Sequence, residues 1–399
     1  MKKRLFIAMH YMELGGAEIS LIGLLQALDY SKYKVDLFIH RHQGELMQFI
    51  PKEVNLLPEI SAYSCIESPI TKALRKGQIG IVYGRLKARW RARKYLPKDA
   101  SKPQYAIYQY IAQEVEPYLP PLEKCGEYDL AISFLQPHNY VLSKVKAKKK
   151  ACLIHTDYTK VEIDAEAELP IWGAYDHIVS ISPDVTNSFL QVFPSLKDRI
   201  VVMENILSSD FVRKKANEMD ASSEMPKRDK GVNVLSVGRF TDAKNYDNVP
   251  DICRRIRAKG IDLYWYIIGF GNDVLIRQKI QEAGMEDYVI ILGKRTNPYP
   301  YIKDCDIYVQ PSRYEGKSVT VREAQMLCKP VVVTNYPTAK SQIQNGIDGV
   351  IVPMDNEGCA QGMVYFIKDK KHQQQIVDYL RSHDFGNNDE VAKIELLLK

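Results

Sequence analysis

The stretch that decides the fold class is Val232-Asn233-Val234-Leu235-Ser236-Val237, a short apolar run that stops at Gly238. Similar runs follow it at intervals filled by longer segments with one polar side. They are residues 263–268, 289–292, 306–310, 331–334 and 350–352. Short, continuously apolar strands that alternate with helical segments are typical of a parallel sheet covered on both faces. The handedness of parallel connections then predicts a doubly wound α/β domain.

The N-terminal half repeats this pattern less regularly. Its candidate strands are residues 4–9, 35–40, 129–135, 151–155, 177–182 and 200–203. A helical, basic insertion interrupts them at about 61–122, and the chain changes domain near Asn205. We therefore predict two Rossmann-like domains, residues 1–204 and 205–382.

Bulk composition narrows the class further. A chain of 399 residues, 45% hydrophobic, is long enough for two cores, and a net charge of +6 does not by itself indicate nucleic-acid binding. No apolar run approaches ~18 residues, so we expect no membrane span, and the N-terminal run is better explained as a strand than as a signal peptide. The cysteines lack zinc or CxxC spacing, which predicts reduced thiols in a cytosolic protein. They are residues 65, 125, 152, 253, 305, 328 and 359.

The strongest chemical motif is the segment 311–324, which lies between a strand and a helix and reads PSRYEGKSVTVREA. A strand, a glycine-bearing loop and a helix start form an anion site, because free N–H groups and the helix dipole both favour a phosphate. Glu315 and Glu323 lie eight positions apart in it. Carboxylates accept hydrogen bonds from vicinal hydroxyls, so this pair suits a hydroxyl-rich ligand.

A second motif, residues 238–245, follows the first strand of the same domain. Gly238 permits close backbone approach, and Arg239 and Lys244 can converge on one diphosphate. The Gly-x-Gly-x-x-Gly signature is absent, which argues against NAD. Residues 269–271, Gly-Phe-Gly, predict only a tight turn.

A third motif, Gly15-Gly16-Ala17-Glu18, follows the first strand of the chain. In this order the motifs resemble glycosyltransferase family 4, the retaining GT-B enzymes also called glycosyl transferases group 1. Further matching elements are Lys329-Pro330-Val331-Val332-Val333-Thr334 and Asn345-Gly346-x-x-Gly349. The similarity is dense from 232 to 353 and thin before 205. It implies an acceptor-binding first domain, a donor-binding second domain facing it across a cleft, and a C-terminal helix at 383–399 that crosses back to the first domain.

The resemblance also implies site residues. Those with catalytic roles are Arg239, Lys244, Glu315 and His155. Those that bind the donor are Gly15, Gly16, Gly238, Gly316, Lys317, Ser318, Val319 and Glu323. Many members carry a small residue where this chain has Lys317, which leaves the donor sugar open.

By this resemblance, Arg239 and Lys244 grip the donor diphosphate, and Glu323 binds the nucleotide ribose. Glu315 and His155 face the transferred sugar. The loop at 316–318 meets the donor through backbone N–H groups, and the loop at 15–16 closes over it from the first domain.

The implied chemistry needs no cofactor and no metal. Asp304-Cys305-Asp306 has the spacing of a metal motif, but it directly precedes a buried strand and is interpreted as structural. The resemblance implies retention of configuration by front-face attack. A covalent route through Glu315 as nucleophile is the alternative.

A basic stretch marks the insertion. From Lys72 to Lys102 the chain carries eleven Lys/Arg and one acid, Asp99, with Leu, Trp and Tyr between them, and residues 144–150 add a second cluster. This pattern is typical of a membrane-surface helix, although a solvated helix face would look similar. No recognition motif for nucleic acid accompanies the charge.

The sequence thus predicts a glycosyltransferase that moves a sugar from a UDP- or GDP-sugar to a hydroxyl of a lipid-linked glycan in surface polysaccharide synthesis. We expect a cytoplasmic protein that binds peripherally at the inner face of the cell membrane. Two alternatives stay open. One is another GT-B enzyme, such as a sugar-nucleotide epimerase or a phosphorylase, and the other is a non-catalytic nucleotide-sugar-binding module.

Overall fold

Two sheets of parallel strands organise the chain. The computed structural model describes residues 2–13, 15–122 and 126–399. One domain comprises Met1–Leu207 and Asn388–Lys399, and the other Ser208–Asn387. The observed boundary lies three residues after the predicted one. Cys125 lies outside the described residues, and the other six cysteines form no disulfide.

The described part of the first domain contains a seven-stranded parallel sheet in the order β3-β2-β1-β4-β5-β6-β7. Four of its strands, β1, β2, β4 and β5, contain four or five consecutive buried residues, as expected for a sheet covered on both faces. They are β1 (Lys3–Met9), β2 (Tyr33–Ile39), β3 (Asn55–Leu56), β4 (Tyr128–Ser133), β5 (Ala147–Ile154), β6 (His177–Ser180) and β7 (Ile200–Val202). The edge strand β3 has only two residues, too few to leave a pattern in the sequence.

Helices connect and cover these strands. They are α1 (Gly16–Ala27), α2 (Ser61–Ser64), α3 (Ile70–Arg75), α4 (Ile79–Lys94), α5 (Ala106–Val115), α6 (Asn139–Lys144), α7 (Ala165–Gly173) and α8 (Pro183–Val192). Short 3-10 turns lie at Glu45–Phe49, Glu116–Tyr118 and Pro194–Arg199. The predicted insertion corresponds to α2–α5, in which α4 packs against α5.

The second domain is built the same way, on a six-stranded parallel sheet in the order β10-β9-β8-β11-β12-β13 within the described residues. Its strands are β8 (Val232–Val237), β9 (Leu263–Ile268), β10 (Val289–Gly293), β11 (Ile307–Gln310), β12 (Val331–Thr334) and β13 (Val350–Val352). Its helices are α9 (Ser209–Ala216), α10 (Val249–Ala258), α11 (Val274–Ala283), α12 (Tyr299–Asp304), α13 (Val319–Met326), α14 (Ala339–Gln342), α15 (Asn356–Lys368) and α16 (Lys370–Ser382). The predicted class, α/β with two doubly wound domains, is confirmed.

The C-terminal segment differs from the single helix predicted over 383–399. Helix α16 ends at Ser382, and a 3-10 turn (Asn388–Lys393) and the one-turn helix α17 (Ile394–Leu397) follow. Residues 383–387 include Gly386 and Asn387, which favour a turn over a continuing helix. The segment packs in the first domain, where Ile394 and Leu397 are fully buried and Tyr33 donates a hydrogen bond to Glu395.

None of the described helices is long and apolar enough to cross a membrane.

The backbone at Ile206 lies close against α1 at Gly23, which predicts the effect of a substitution on stability. A Cβ at Gly23 would lie 1.8 Å from the carbonyl oxygen of Ile206. We expect Gly23→Ala to lower the free energy of unfolding by about 1–3 kcal/mol, because the backbone must shift to admit the methyl group. The measurement is urea unfolding of the full chain followed by circular dichroism.

Gly173→Ala, at the end of α7, is the matched control. Its new methyl would meet only Leu196 Cδ2, at 3.8 Å, an ordinary contact. Alanine there should leave stability unchanged or raise it by up to about 1 kcal/mol. Equal stability of the two variants would contradict the packing described for α1.

Candidate functional site

The two strongest motifs follow neighbouring strands of the second sheet. Residues 238–245 follow β8 and residues 311–318 follow β11, and these two strands are hydrogen-bonded to each other. The strand order reverses between them. In open α/β sheets, ligands bind beyond the carboxyl ends of the strands at such a reversal. The candidate donor site therefore lies where the topology favours one.

The centre of this site is an ion pair between two of the predicted residues. Lys244 Nζ donates to Glu315 Oε1 at 2.6 Å, and the two side chains are only 19% and 13% exposed. Glu315 Oε1 also accepts hydrogen bonds from Ser312 Oγ at 2.6 Å and from Gln310 Nε2 at 3.1 Å. Glu315 Oε2 has no hydrogen bond to a described residue. One carboxylate oxygen is thus held by three donors while the other stays available.

Gln310, the last residue of β11, orients this group. Its Oε1 accepts hydrogen bonds from Tyr308 Oη at 2.8 Å and from Thr320 Oγ1 at 3.2 Å. Its Nε2 therefore points the other way and donates to Ser312 Oγ and Glu315. We call Lys244, Glu315, Ser312 and Gln310 the Lys244–Glu315 cluster.

Two glycines make room for the lysine. A Cβ at Gly238 would lie 2.9 Å from both Lys244 Cε and Tyr246 Oη. A Cβ at Gly269 would lie 2.1 Å from the carbonyl oxygen of Gly238. Gly269 is therefore more than the tight turn predicted from the sequence, because it lets the loop after β9 contact the loop after β8 directly.

The rest of the loop after β8 is anchored to the loop after β11. Asn245 adopts a left-handed conformation with φ of 59° and donates to the carbonyl oxygen of Pro311 at 2.9 Å. Arg313 binds Asp247 with both terminal nitrogens, at 3.0 and 2.7 Å. Arg239, the other half of the predicted basic pair, is exposed and forms no ion pair with a described residue. The structure therefore pairs only Lys244 with Glu315.

The predicted phosphate loop leads into α13. Gly316 has open space where a side chain would be, Lys317 is partly buried, and Val319 begins the helix. The N–H of Ser318 donates to Gln342 Oε1 at 3.0 Å, and the carbonyl oxygen of Ser318 accepts from Gln342 Nε2 at 2.5 Å. One of the N–H groups predicted to meet a donor is thus held by a side chain of α14.

Glu323 lies on α13 and is 1% exposed. Its Oε1 accepts a hydrogen bond from Tyr299 Oη at 2.8 Å, and its Oε2 has no hydrogen-bond partner among the described residues. Burial raises the pKa of this carboxyl to about 7. A buried carboxyl group with one unsatisfied oxygen can accept a hydrogen bond from a ligand, because buried polar groups normally have a partner.

The remaining predicted residues belong to the first domain. Gly15 caps α1, Gly16 begins it, and His155 directly follows β5. The His155 ring lies against Phe134 with centroids 5.3 Å apart, and its Nε2 has no hydrogen-bond partner among the described residues. Burial lowers the pKa of His155 to about 4, so the ring is neutral at pH 7.

Other histidines line the same edge of the first sheet. His10 follows β1 and His40 follows β2, and their rings stack with centroids 4.7 Å apart. His10 Nδ1 lies 3.1 Å from Glu67 Oε1. His138, in the loop after β4, has an Nε2 with no partner in the described chain, and burial lowers its pKa to about 3. Burial lowers the pKa of His40 as well, so this edge presents several neutral imidazoles.

Sequence reasoning misses four residues of the second-domain site: Tyr299, Gln310, Ser312 and Gln342. Gln310 carries a signal, since it is a polar residue ending an otherwise apolar strand. Tyr299 and Gln342 carry none, because each lies 24 positions from the residue that it holds.

Among the described residues, no group of three His, Cys, Asp or Glu residues could hold a metal ion. Asp306 instead accepts a hydrogen bond from the backbone N–H of Asn233 at 2.7 Å, a structural role beside β8. Independence from metal stays a prediction.

The raised pKa of Glu323 predicts a pH effect on stability. The folded state keeps this proton up to about pH 7, whereas an unfolded glutamate loses it near its ordinary pKa of 4.5. Stability from this group is therefore present below pH 4.5 and is lost as the pH rises through 7, with a slope of at most about 1.4 kcal/mol per pH unit. Glu323→Gln should remove that fall. The measurement is thermal unfolding of both proteins from pH 5 to 8.

Glu286→Gln is the control, because Glu286 is exposed and forms no ion pair with a described residue. A constant difference in melting temperature between wild type and Glu323→Gln across this range would refute the titration.

Comparisons with known proteins show which chains the second domain and the whole fold are similar to. The profile of the family described as "Glycosyl transferases group 1" matches residues 219–383, which contain the Lys244–Glu315 cluster and Glu323. A relative from Campylobacter jejuni, N-acetylgalactosamine-N,N'-diacetylbacillosaminyl-diphospho-undecaprenol 4-alpha-N-acetylgalactosaminyltransferase, is 30% identical over 142 residues. That match covers 35% of this chain and 38% of the relative.

A second relative, the amylovoran biosynthesis glycosyltransferase AmsD of Erwinia amylovora, is 26% identical over 232 residues, covering 57% of this chain and 63% of its own length. Both matches thus span less than two thirds of the relative. HepE of Anabaena, solved with UDP and glucose, superposes with a TM-score of 0.68 at 15% identity over 99% of both chains, which shows a shared fold. Most of the second domain of this chain thus matches the profile of the glycosyl transferases group 1 family.

Proposed function

We propose that this chain is a retaining glycosyltransferase that moves a sugar from a UDP- or GDP-sugar to a hydroxyl of a lipid-linked glycan in surface polysaccharide synthesis. The Lys244–Glu315 cluster carries the proposal. A cation beside a carboxylate suits a nucleotide-sugar donor, which has an anionic diphosphate next to a sugar with several hydroxyls. Lys244 attracts the diphosphate, and the available Oε2 of Glu315 accepts hydrogen bonds from sugar hydroxyls.

Glu323 supports the nucleotide half of this proposal. Its unsatisfied Oε2 and its Tyr299-bound Oε1 leave one acceptor for a ribose hydroxyl. A hydroxyl that donates to this oxygen favours the charged carboxylate and offsets part of the cost of its burial.

The proposed reaction breaks the bond between the anomeric carbon and the diphosphate. The acceptor hydroxyl attacks on the same face, and its proton passes to the departing phosphate oxygen. Lys244 and the N–H groups at the start of α13 stabilise the charge on that phosphate, and one such interaction is typically worth about 2.7–4 kcal/mol. Neither a metal nor a cofactor enters this proposal.

The relatives suggest the acceptor. The name of the Campylobacter jejuni enzyme includes a diphospho-undecaprenol carrier, and AmsD is named for amylovoran biosynthesis. We extend this to a lipid-linked saccharide that binds the first domain at the inner face of the cell membrane. The neutral imidazole of His155, which is only partly buried, can both donate to and accept from sugar hydroxyls, which supports that site.

The test is release of nucleoside diphosphate from a panel of UDP-, GDP- and ADP-sugars in the presence of a membrane extract. We expect Lys244→Ala to lower the rate of nucleoside diphosphate release about 100-fold or more, because no lysine then stabilises the negative charge on the departing phosphate. Glu323→Ala should raise the KM for the donor, and Glu323→Gln, which keeps the shape, should do so less. Lys259→Ala, an exposed lysine of the same domain, is the control.

Each outcome discriminates. Extract-dependent release that collapses in Lys244→Ala supports the transferase and names the donor. Binding without release from any donor would favour a non-catalytic module. Release that ignores both substitutions would mean that the donor site lies elsewhere.

The ion pair itself gives a second prediction. Glu315 forms an ion pair with Lys244, so a diphosphate must compete with this carboxylate for the lysine. Glu315→Gln should therefore bind UDP about fivefold more tightly, since a neutral amide holds the lysine less strongly, while sugar transfer falls. Isothermal titration calorimetry measures the affinity.

Glu357→Gln, which removes an ion pair with Arg255 elsewhere in the domain, should leave UDP affinity unchanged. Weaker UDP binding by Glu315→Gln would show that the two anions do not compete for Lys244.

A further inference from the structure

Helix α4 of the first domain presents an apolar stripe to solvent. Ile79, Tyr83, Leu86 and Trp90 are 71%, 57%, 51% and 56% exposed. Their spacing of four, three and four positions places them on one helix face. We call these four residues the α4 stripe.

The opposite face of α4 already has its partners. Ile81, Gly84 and Ala88 are buried, and α4 packs there against α5. Arg85 is buried as well and donates to the carbonyl oxygen of Cys65 at 3.2 Å. The packing of α4 on α5 therefore leaves the α4 stripe largely exposed, and an exposed apolar patch of this kind is typical of an interaction surface.

Cations flank the stripe. Lys87 and Arg91 both form ion pairs with Glu114, at 2.7 and 3.3 Å, so these three groups keep a net charge of +1. Arg89 and Arg93 are exposed and form no ion pair with a described residue. Helix α4 itself contains no Asp or Glu.

Lys94 is a cation that lies directly against a residue of the α4 stripe. Its Nζ lies 3.5 Å from the centre of the Trp90 ring. An amphipathic ring beside a long cationic side chain suits an interface where hydrocarbon meets charged headgroups.

We propose that the outer face of α4 docks on an anionic lipid surface. The α4 stripe enters the boundary between headgroups and acyl chains, and Arg89, Arg93 and Lys94 contact lipid phosphates. Charge selects this occupant, because the unpaired cations would repel a second copy and would attract an anionic leaflet. The apolar stripe argues against nucleic acid, which binds such clusters through its phosphates. The proposal goes beyond sugar transfer and does not depend on the donor site.

The first measurement uses the tryptophans. Trp90 is 56% exposed, whereas Trp172 and Trp265 are buried at 1% and 0%, so a change in emission on docking reports Trp90. Vesicles of phosphatidylcholine mixed with phosphatidylglycerol should shift the emission of the full chain to shorter wavelength. Vesicles of phosphatidylcholine alone should shift it much less.

Co-sedimentation with the same vesicles tests the residues. Leu86→Ser with Trp90→Ser should weaken partitioning about tenfold or more, because two apolar side chains no longer leave water. Arg89→Gln with Arg93→Gln should weaken it about fivefold for each charge removed, and added salt should abolish that difference. Circular dichroism confirms that the variants fold.

Tyr365→Ser and Lys259→Gln are matched controls from the second domain, where Tyr365 is 73% exposed and Lys259 is exposed. They should bind vesicles as the wild type does. Absence of wild-type binding, or equal loss in the controls, would overturn the proposal.

Two other results would also overturn it. One is self-association that the stripe variant abolishes, seen by light scattering, without vesicle binding. The other is tighter binding to polyuridylate than to vesicles, dependent on the same arginines. The vesicles contain no sugar acceptor, so failure here is separable from failure of nucleoside diphosphate release.

Discussion

The ion pair between Lys244 and Glu315 is the constraint that the second domain is built to satisfy. Two partly buried charges lose hydration, and such a pair stabilises a fold only when further hydrogen bonds satisfy its atoms. Here Ser312 and Gln310 supply them, on an oxygen that the lysine already binds. The pairing of β8 with β11 brings the two loops together. A polar arrangement that needs this much support is typical of a binding site rather than of a stabilising contact.

The strands of the second domain could be predicted almost residue by residue, because parallel strands buried on both faces leave continuous apolar runs that stop at Gly or Pro. The strands of the first domain were harder to predict, because β3 has only two residues and helices α2–α5 interrupt the alternation of strands and helices. The C-terminal segment was wrongly predicted as one helix. Its apolar positions, Ile394 and Leu397, fit a single helical turn as well as a longer helix.

The residues of the candidate site also fall into two groups, those that a local sequence motif predicts and those that reach the site from distant elements. Gly238, Lys244, Glu315 and Glu323 lie in short motifs beside strand ends, where spacing alone suggests anion and hydroxyl recognition. Tyr299 and Gln342 reach the site from other elements, so no local pattern marks them. Gly269 looks like an ordinary turn until the backbone of Gly238 is found against it. Direct chemical roles are therefore easier to predict than the residues that hold them in position.

The first domain is discontinuous, and this imposes an order on biosynthesis. Tyr33 contacts Glu395 across 362 positions, and the whole second domain is translated between them. During synthesis, the surface of the first domain that packs against Ile394 and Leu397 stays exposed to solvent while the second domain emerges from the ribosome and folds. We expect chaperones to bind this exposed surface during that interval. The second domain, whose sequence is inserted in that of the first, therefore completes its fold before the first domain does.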